Sequence, residues 1–162
     1  MIKIIKIMIL LVMMSANAAT AEINDSRALG ALETGKGVFL VDIGDAKKLN
    51  FYLEVIQGTY KSMQAQNVTA DFILVYIGPS VKYLTSRPAQ ETESVSGAIL
   101  MDIESNIEKL AELGVRQEIC SVATDAFGLD NKFLFDDLQL IGDGFISLIG
   151  YQAQGYHLVP VF

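Results

Sequence analysis

Short apolar runs alternate with amphipathic stretches along the chain after residue 36. Phe72–Ile77 holds six consecutive apolar residues, which is typical of a strand that is buried on both faces of a parallel sheet. Pro160 has no N–H to donate, so the strand that contains it is predicted to lie at a sheet edge or to pair weakly. The predicted strands are Gly37–Val41, Phe72–Ile77, Gln117–Val122, Leu138–Ile141 and Leu158–Phe162.

The clearest amphipathic helix follows Asp45, which is placed to cap its first turn. Apolar residues recur at helical spacing along one face, and polar residues fill the other. The apolar positions are Leu49, Tyr52, Leu53, Ile56, Tyr60 and Met63. We interpret this stripe as a face packed on the core, since such stripes are far more often core than cofactor site.

Two further helices are predicted downstream. Ile99–Leu113 follows a polar loop over Arg87–Ser96 and ends at Gly114, and Val81–Leu84 is predicted as one helical turn. The last helix is capped by Asp143 and stops near Gly155. The residues predicted to face inward are Ile103, Ile107 and Leu110 in the first helix and Phe145, Ile146, Ile149, Ala153 and Tyr156 in the last.

Strands that alternate with helices predict an α/β fold. The expected architecture is a three-layer α/β/α sandwich with a mainly parallel five-stranded sheet, in flavodoxin-like layering with right-handed crossovers. The domain is predicted over residues 37–162, and residues 19–36 are predicted to form an irregular N-terminal arm.

Residues 1–18 have the three parts of a secretory signal peptide. Lys3 and Lys6 form a positive region, Ile7–Met14 is continuously apolar, and small residues follow. Cleavage is predicted after Ala18, with Ala21 as the alternative. The apolar stretch is shorter than the roughly 20 residues that span a bilayer, so a membrane anchor is disfavoured. We therefore expect an exported protein, periplasmic or secreted, without membrane insertion after cleavage.

Charge and motif content exclude several function classes. The chain carries a net charge of −7, and loss of the two lysines in residues 1–18 leaves it near −9, which disfavours nucleic acid as a partner. The turn Asp42-Ile43-Gly44-Asp45 lacks the glycine-rich phosphate-binding patterns, and its carboxylates would repel phosphate. No G-x-S-x-G motif is present, and one cysteine with one histidine, His157, does not form a metal site of ordinary spacing. No cofactor and no metal are therefore expected.

Cys120 is the candidate catalytic residue. It lies toward the carboxyl end of a predicted strand, where open α/β sheets carry their working groups, and Thr124–Asp125 is predicted as a turn that caps a short helix. Two interpretations stay open. A free cysteine is commonly a small buried hydrophobe, whereas a thiolate near a helix N-terminus is a nucleophile. Nearby Glu118 would oppose the thiolate, and Arg116 is expected at the other end of the strand.

Several stretches together resemble the DsrE/DsrF-like family, specifically its small exported members. The resemblance covers most of residues 37–162, and it rests on the order and spacing of its motifs. These are Val41–Asn50 with Ile56-Gln57, Phe72–Gly78 running into Pro79, Leu113-Gly114-Val115 with Ile119-Cys120, and Gly144-Phe145-Ile146 through Leu148-Ile149 with Gln152 and Gly155-Tyr156.

The resemblance implies a three-layer α/β/α domain that forms homo-oligomers, often trimers or hexamers. It also implies a cysteine that carries sulfur as a persulfide and exchanges it with a donor or acceptor protein, and Cys120 is the residue that matches. The first hypothesis is thus a sulfur carrier or sulfurtransferase of the envelope. The alternatives are a non-enzymatic oligomeric binding or scaffold domain with a structural Cys120, and a small-ligand binder at the sheet edge near Asp42, Gly78 and Cys120.

Overall fold

A computed structural model describes residues 23–162. The predicted signal peptide and residues 19–22 of the predicted arm lie outside the described residues. Helices and strands alternate along the described part. In chain order they are α1 (Ser26–Leu29), β1 (Thr34–Val41), α2 (Ala46–Ala65), β2 (Thr69–Tyr76), α3 (Gln90–Glu112), β3 (Arg116–Cys120), α4 (Ser121–Ala126), β4 (Gln139–Ile141), α5 (Gly144–Ala153) and β5 (His157–Val161), with 3-10 turns at Gly78–Tyr83 and Asn131–Phe133.

The five strands form one parallel sheet in the order β4-β3-β2-β1-β5. The predicted parallel five-stranded sheet is therefore confirmed. Strand β5 lies at an edge, where the missing N–H of Pro160 costs least, as predicted. The carboxyl ends of β1, β2 and β3 reach the same side of the sheet, and the loops that follow them meet there.

The order of the strands decides which face each helix covers. From β1 to β4 the chain steps to the next strand in one direction, and right-handed crossovers keep the intervening helices on one face. The step from β4 to β5 runs the opposite way, so α5 lies on the other face, against β1, β2, β3 and β5. Helices on both faces of the sheet confirm the three-layer α/β/α architecture.

Each face of the sheet has its own apolar core. Phe39, Leu74 and Ile107 belong to the larger core, between the sheet and the α2–α3 layer. The smaller core lies under α5 and is formed by Val38, Ile73, Val75, Leu148 and Tyr156. Because both faces are covered, the central strands are apolar at successive positions and not only at alternate ones.

Several local predictions are confirmed. The side chain of Asp45 accepts the backbone N–H of Lys48 at 2.7 Å and so caps α2. Gly114 follows α3 with a φ of +83°, a left-handed conformation that glycine adopts without strain. Ile103, Ile107 and Leu110 are fully buried.

Two predictions about loops are wrong. Helix α3 begins at Gln90, so much of the predicted loop Arg87–Ser96 is helical. Its first turns are polar because they lie at the surface, and Glu91 and Glu93 stabilise the helix N-terminus electrostatically. Upstream, the predicted irregular arm contains α1 and the start of β1. Thr34–Lys36 pair with β2 through the backbone, which a pattern of side chains does not reveal.

Two further predictions, around the later elements, also need correction. Strand β3 ends at Cys120 and α4 starts at Ser121, so Cys120 itself occupies the N-cap position and Thr124 lies within the helix. Of the residues predicted to face inward in the last helix, Tyr156 is buried, whereas Phe145, Ile146, Ile149 and Ala153 are exposed. Leu148, which was not predicted, is buried. Helix α5 is apolar around most of its circumference, and spacing therefore does not identify its packed face.

Candidate functional site

Cys120 lies at the carboxyl end of β3, beside the start of α5. Its Sγ accepts the backbone N–H of Gly144 at 3.2 Å, the first residue of α5. The side chain is 5% exposed, and it lines a cavity of about 450 Å³. The cavity is also bordered by Asp42, Ile77, Phe127, Asp143 and Phe145. Cys120 is thus nearly buried, but it borders a cavity and is not enclosed by packed apolar side chains alone.

The close approach of α5 to the thiol depends on a glycine. A Cβ at Gly144 would lie 2.5 Å from Cγ2 of Ile77 and 3.3 Å from Cβ of Cys120. Asp143 precedes it and caps the helix, because its Oδ1 accepts the N–H of Phe145 at 2.8 Å. The Asp143-Gly144 pair therefore sets the start of α5 directly against the sulfur.

Groups of opposite effect surround the sulfur. The N–H of Gly144, at the positive end of α5, stabilises negative charge on sulfur. Asp42 and Asp143 line the same cavity and oppose that charge. Asp42 packs tightly against Gly78, where a Cβ would lie 2.2 Å from its Oδ1 and φ is +52°. The site thus pairs one backbone donor with two carboxylates.

The buried carboxyl group of Glu118 lies two residues before Cys120, on the same face of β3. Glu118 is 5% exposed, and its two oxygens accept the hydroxyls of Ser147 and Tyr151, both at 2.5 Å. Burial, followed by the hydrogen bond to Glu118, raises the pKa of Tyr151 to about 12. Glu118 therefore joins β3 to the second and third turns of α5.

Arg116 begins β3, while Cys120 ends it, so the two residues lie at opposite ends of the strand as predicted. The guanidinium pairs with Asp71 at 3.3 Å and receives no contact from Cys120. It also donates to the hydroxyl of Tyr156, which in turn donates to Asp71 at 2.7 Å. This cation belongs to a polar cluster at the far end of the α5 face, and it also contacts the ring of Tyr151.

The other residues considered from the sequence do not join the thiol. His157 is exposed at the start of β5, and Asp136 and Asp137 are exposed before β4. Asp45 caps α2 and does not line the cavity, whereas Asp42 does. Among residues 23–162, no cluster of three or more His, Cys, Asp or Glu side chains could hold a metal ion.

The sequence prediction missed the contact of Gly144 with the sulfur, and it treated Glu118 only as a charged neighbour of Cys120, without its burial against α5. The sequence around Gly144 carried no specific signal, because the close approach that requires a glycine there is made by Ile77 and Cys120, which are distant along the chain. No local signal existed for Glu118, because its partners lie 29 and 33 residues further along the chain.

Large apolar side chains surround the mouth of the cavity. Phe145 and Val122 are 64% and 59% exposed, and Phe127 is also exposed. Exposed apolar groups around a cavity are typical of a surface that contacts another molecule. Within the described residues, no helix is both long and apolar enough to span a membrane.

Comparison with known proteins agrees with this architecture. A protein of unknown function from Methanobacterium thermoautotrophicum, MTH1491, superposes with a TM-score of 0.60 at 17% identity, covering 78% of this chain and 98% of the other. The ychN protein from E. coli superposes with a TM-score of 0.54 at 17% identity over the same shares. At such identities the likeness concerns the fold alone.

Sequence comparison is more decisive for the family. No curated protein matches the chain. The sequence model of the DsrE/DsrF-like family matches residues 12–161, which include Cys120 and every strand of the sheet. Since this match extends over nearly the whole chain, the protein belongs to the DsrE/DsrF-like family.

Proposed function

We propose that this protein is a sulfur carrier that holds sulfur as a persulfide on Cys120. One observation carries the proposal: Cys120 borders a cavity, and its Sγ accepts the N–H of Gly144. A reactive thiol needs a route for a small or extended donor, and the cavity of about 450 Å³ supplies it. A thiolate or persulfide also needs a donor for its negative charge, and the start of α5 supplies that.

The proposed chemistry is a pair of thiolate displacements. The Cys120 thiolate attacks the sulfane sulfur of a donor such as thiosulfate. A sulfur–sulfur bond forms to Cys120, the donor's sulfur–sulfur bond breaks, and sulfite leaves with the electron pair. In the second step an acceptor thiolate attacks the terminal sulfur, takes it as a new persulfide, and releases the Cys120 thiolate. Neither step needs an external oxidant or reductant.

Incubation of the purified protein with thiosulfate or polysulfide tests the proposal. Intact-mass spectrometry should detect the added mass of one sulfur atom on the wild type, removable by a reductant. The matched control is Cys120→Ser, which keeps the side-chain size and should gain nothing. Equal gain by both proteins, or no gain by either, would contradict the proposal.

The alternative is a non-enzymatic scaffold domain in which Cys120 is only packed, and the 5% exposure of its side chain favours that function. A neutral thiol reagent separates the two. A carrier should be labelled at Cys120 in the native state, because a sulfur donor must be able to reach the thiol. A scaffold should be labelled only after denaturation.

We also propose that the protein is exported to the periplasm or medium and acts there as a homo-oligomer. Ile146 and Ile149 lie close together on the outer side of α5 and are 69% and 68% exposed, and a contiguous exposed apolar surface is typical of a protein–protein contact. A second copy is the proposed occupant of this surface. Light scattering should give a multiple of the chain mass, and Ile146→Glu with Ile149→Glu should reduce it. Val95→Glu, at an exposed site on α3, is the control.

Export has its own test. The mature protein recovered from a bacterial host should lie in the periplasm or medium and should begin after Ala18 or Ala21. An intact leader on protein recovered from the cytoplasm would contradict this part of the proposal.

A further inference from the structure

Three successive positions on one face of β3 meet three successive positions on α5. Residues 116, 118 and 120 point to the same side of the sheet because side chains alternate along a strand. Gly144, Ser147 and Tyr151 lie on one side of α5 because their spacings of three and four residues match the helical repeat. The contacts follow in order: Cys120 with Gly144, Glu118 with Ser147 and Tyr151, and Arg116 with the ring of Tyr151.

The middle contact, between Glu118 and α5, buries a carboxyl group, which carries a large desolvation cost. A carboxyl group that is 5% exposed loses most of its hydration, and no cation pairs with Glu118 among residues 23–162. Its compensation comes from the two α5 hydroxyls at 2.5 Å. Apolar residues could hold a strand and a helix together without such a desolvation cost. The hydrogen bonds of Glu118 therefore fix the orientation of α5 on the sheet, in addition to holding the helix against the strand.

We infer that Glu118 is a positioning residue for Cys120: by holding Ser147 and Tyr151 against β3, it keeps the N–H of Gly144 directed at the sulfur. Its purpose rests on the function proposed for Cys120. Ser147 lies only one turn beyond Gly144, so a small displacement of this turn alters the N–H to sulfur distance. Gly144 has little freedom to compensate, since Ile77 closes the other side.

Charge and positioning have to be separated in the test, because Glu118 also bears a carboxyl group near the thiol. The other charged groups that border the cavity are Asp42 and Asp143. Glu118→Gln and Glu118→Leu both remove the charge. Glutamine keeps hydrogen-bonding atoms for both hydroxyls, whereas leucine keeps only the volume. Any difference between these two variants therefore reports positioning and not charge.

The single cysteine of the chain allows a direct spectroscopic measurement. Protein labelled with 13C-cysteine gives one Cβ resonance, whose shift follows thiol ionisation as pH is raised. We expect the midpoint of Glu118→Leu to lie about one pH unit above that of Glu118→Gln, about a tenfold loss of thiolate at a given pH. The rate of alkylation by iodoacetamide at neutral pH should fall in the same proportion.

Equal midpoints in the two variants, or a lower one for leucine, would overturn the inference. If Glu118→Leu does not fold by circular dichroism, the pair Glu118→Gln and Glu118→Gln with Ser147→Ala replaces it, and the double variant should titrate higher. Asp71→Asn perturbs only the Arg116 end of the same face and should keep the wild-type midpoint. A shift there as large as the leucine shift would also overturn the inference.

The outcome is independent of sulfur uptake. A difference between the leucine and glutamine variants in a protein that takes up no sulfur would remove the proposed carrier function and leave the positioning role. Sulfur uptake at Cys120 together with equal midpoints would leave the carrier function and remove the positioning role.

Discussion

At the scale of single residues, the site depends on what Gly144 lacks. Its missing side chain lets the first N–H of α5 reach the Sγ of Cys120 at 3.2 Å. Ile77 occupies the space that a Cβ would need. The absence of a side chain at Gly144 therefore allows a close contact that no other residue permits.

Substitution of Gly144 by alanine should show both consequences. We expect Gly144→Ala to lower the free energy of unfolding by about 1–3 kcal/mol, because a buried methyl group must displace Ile77 or the helix. Alkylation of Cys120 should also slow, since the N–H moves away from the sulfur. Urea unfolding and iodoacetamide kinetics measure the two effects.

Gly150 is the matched control, in the same helix. A Cβ there would meet nothing within 4 Å. Gly150→Ala should therefore stabilise the protein by about 0.5–1 kcal/mol through helix propensity, with unchanged alkylation. Similar destabilisation by both substitutions would contradict the role assigned to Gly144.

At the scale of elements, α2 and α3 are joined by buried amides as well as by apolar packing. Asn106 of α3 donates to Asn50 at 2.8 Å and accepts from Gln57 at 3.0 Å, and both partners belong to α2. All three side chains are buried. The amides thereby fix the register of the two helices, which the apolar stripes alone leave less defined.

Removal of the central amide should be costly. We expect Asn106→Ala to lower the free energy of unfolding by about 2 kcal/mol, because the buried Oδ1 of Asn50 loses its donor and the buried Nε2 of Gln57 loses its acceptor. Chemical denaturation measures this value. Glu108→Ala, on the exposed side of α3, should stay within about 0.5 kcal/mol of the wild type. A loss of stability for Asn106→Ala no larger than that for Glu108→Ala would contradict this prediction. It would mean that water takes the place of the lost amide hydrogen bonds.

At the scale of the whole molecule, the two faces of the sheet differ in chemistry. The α2–α3 face has the larger apolar core, whereas the α5 face combines a small core with the polar series from Asp71 to Glu118. Burial and the hydrogen bond to Asp71 raise the pKa of Tyr156, and burial and Glu118 raise that of Tyr151 to about 12. The contribution of the α5 face to the free energy of unfolding therefore depends on pH in the alkaline range.

The sign of that linkage follows from the direction of the shifts. A tyrosine whose pKa is higher in the folded state keeps its proton while the unfolded chain loses it, so stability is full below about pH 10 and declines toward pH 12. Tyr151→Phe should make this decline shallower, as measured by urea unfolding at pH 9 and pH 11. Tyr52→Phe, on α2, is the control. An unchanged slope in Tyr151→Phe would contradict the linkage.

The segments that form the strands of the sheet and helix α2 could be predicted, because each depends on a local pattern of residues. Six apolar residues at Phe72–Ile77 indicate a strand covered on both faces, and Asp45 with the apolar stripe behind it indicates α2. Pro160 indicates an edge because it lacks a donor. Such signals act within a few residues of one another, and they remain visible whatever the rest of the chain does.

The packed side of α5 and the length of α3 could not be predicted in the same way. Helix α5 is apolar nearly all round, so only its contact with β3 selects Leu148 and leaves Phe145 exposed. The start of α3 is polar because it lies at the surface, and a polar helix resembles a loop in its residue pattern.

For the site, the sequence by itself determined that the sole thiol stands at the carboxyl end of a strand in an α/β domain, because periodicity and a unique residue are local facts. Only the tertiary structure decided that Gly144 donates to this sulfur, that Asp42 and Asp143 share its cavity, and that Glu118 is buried beneath α5. These contacts join residues more than twenty positions apart, and their existence depends on the direction in which the chain crosses the sheet to reach β5.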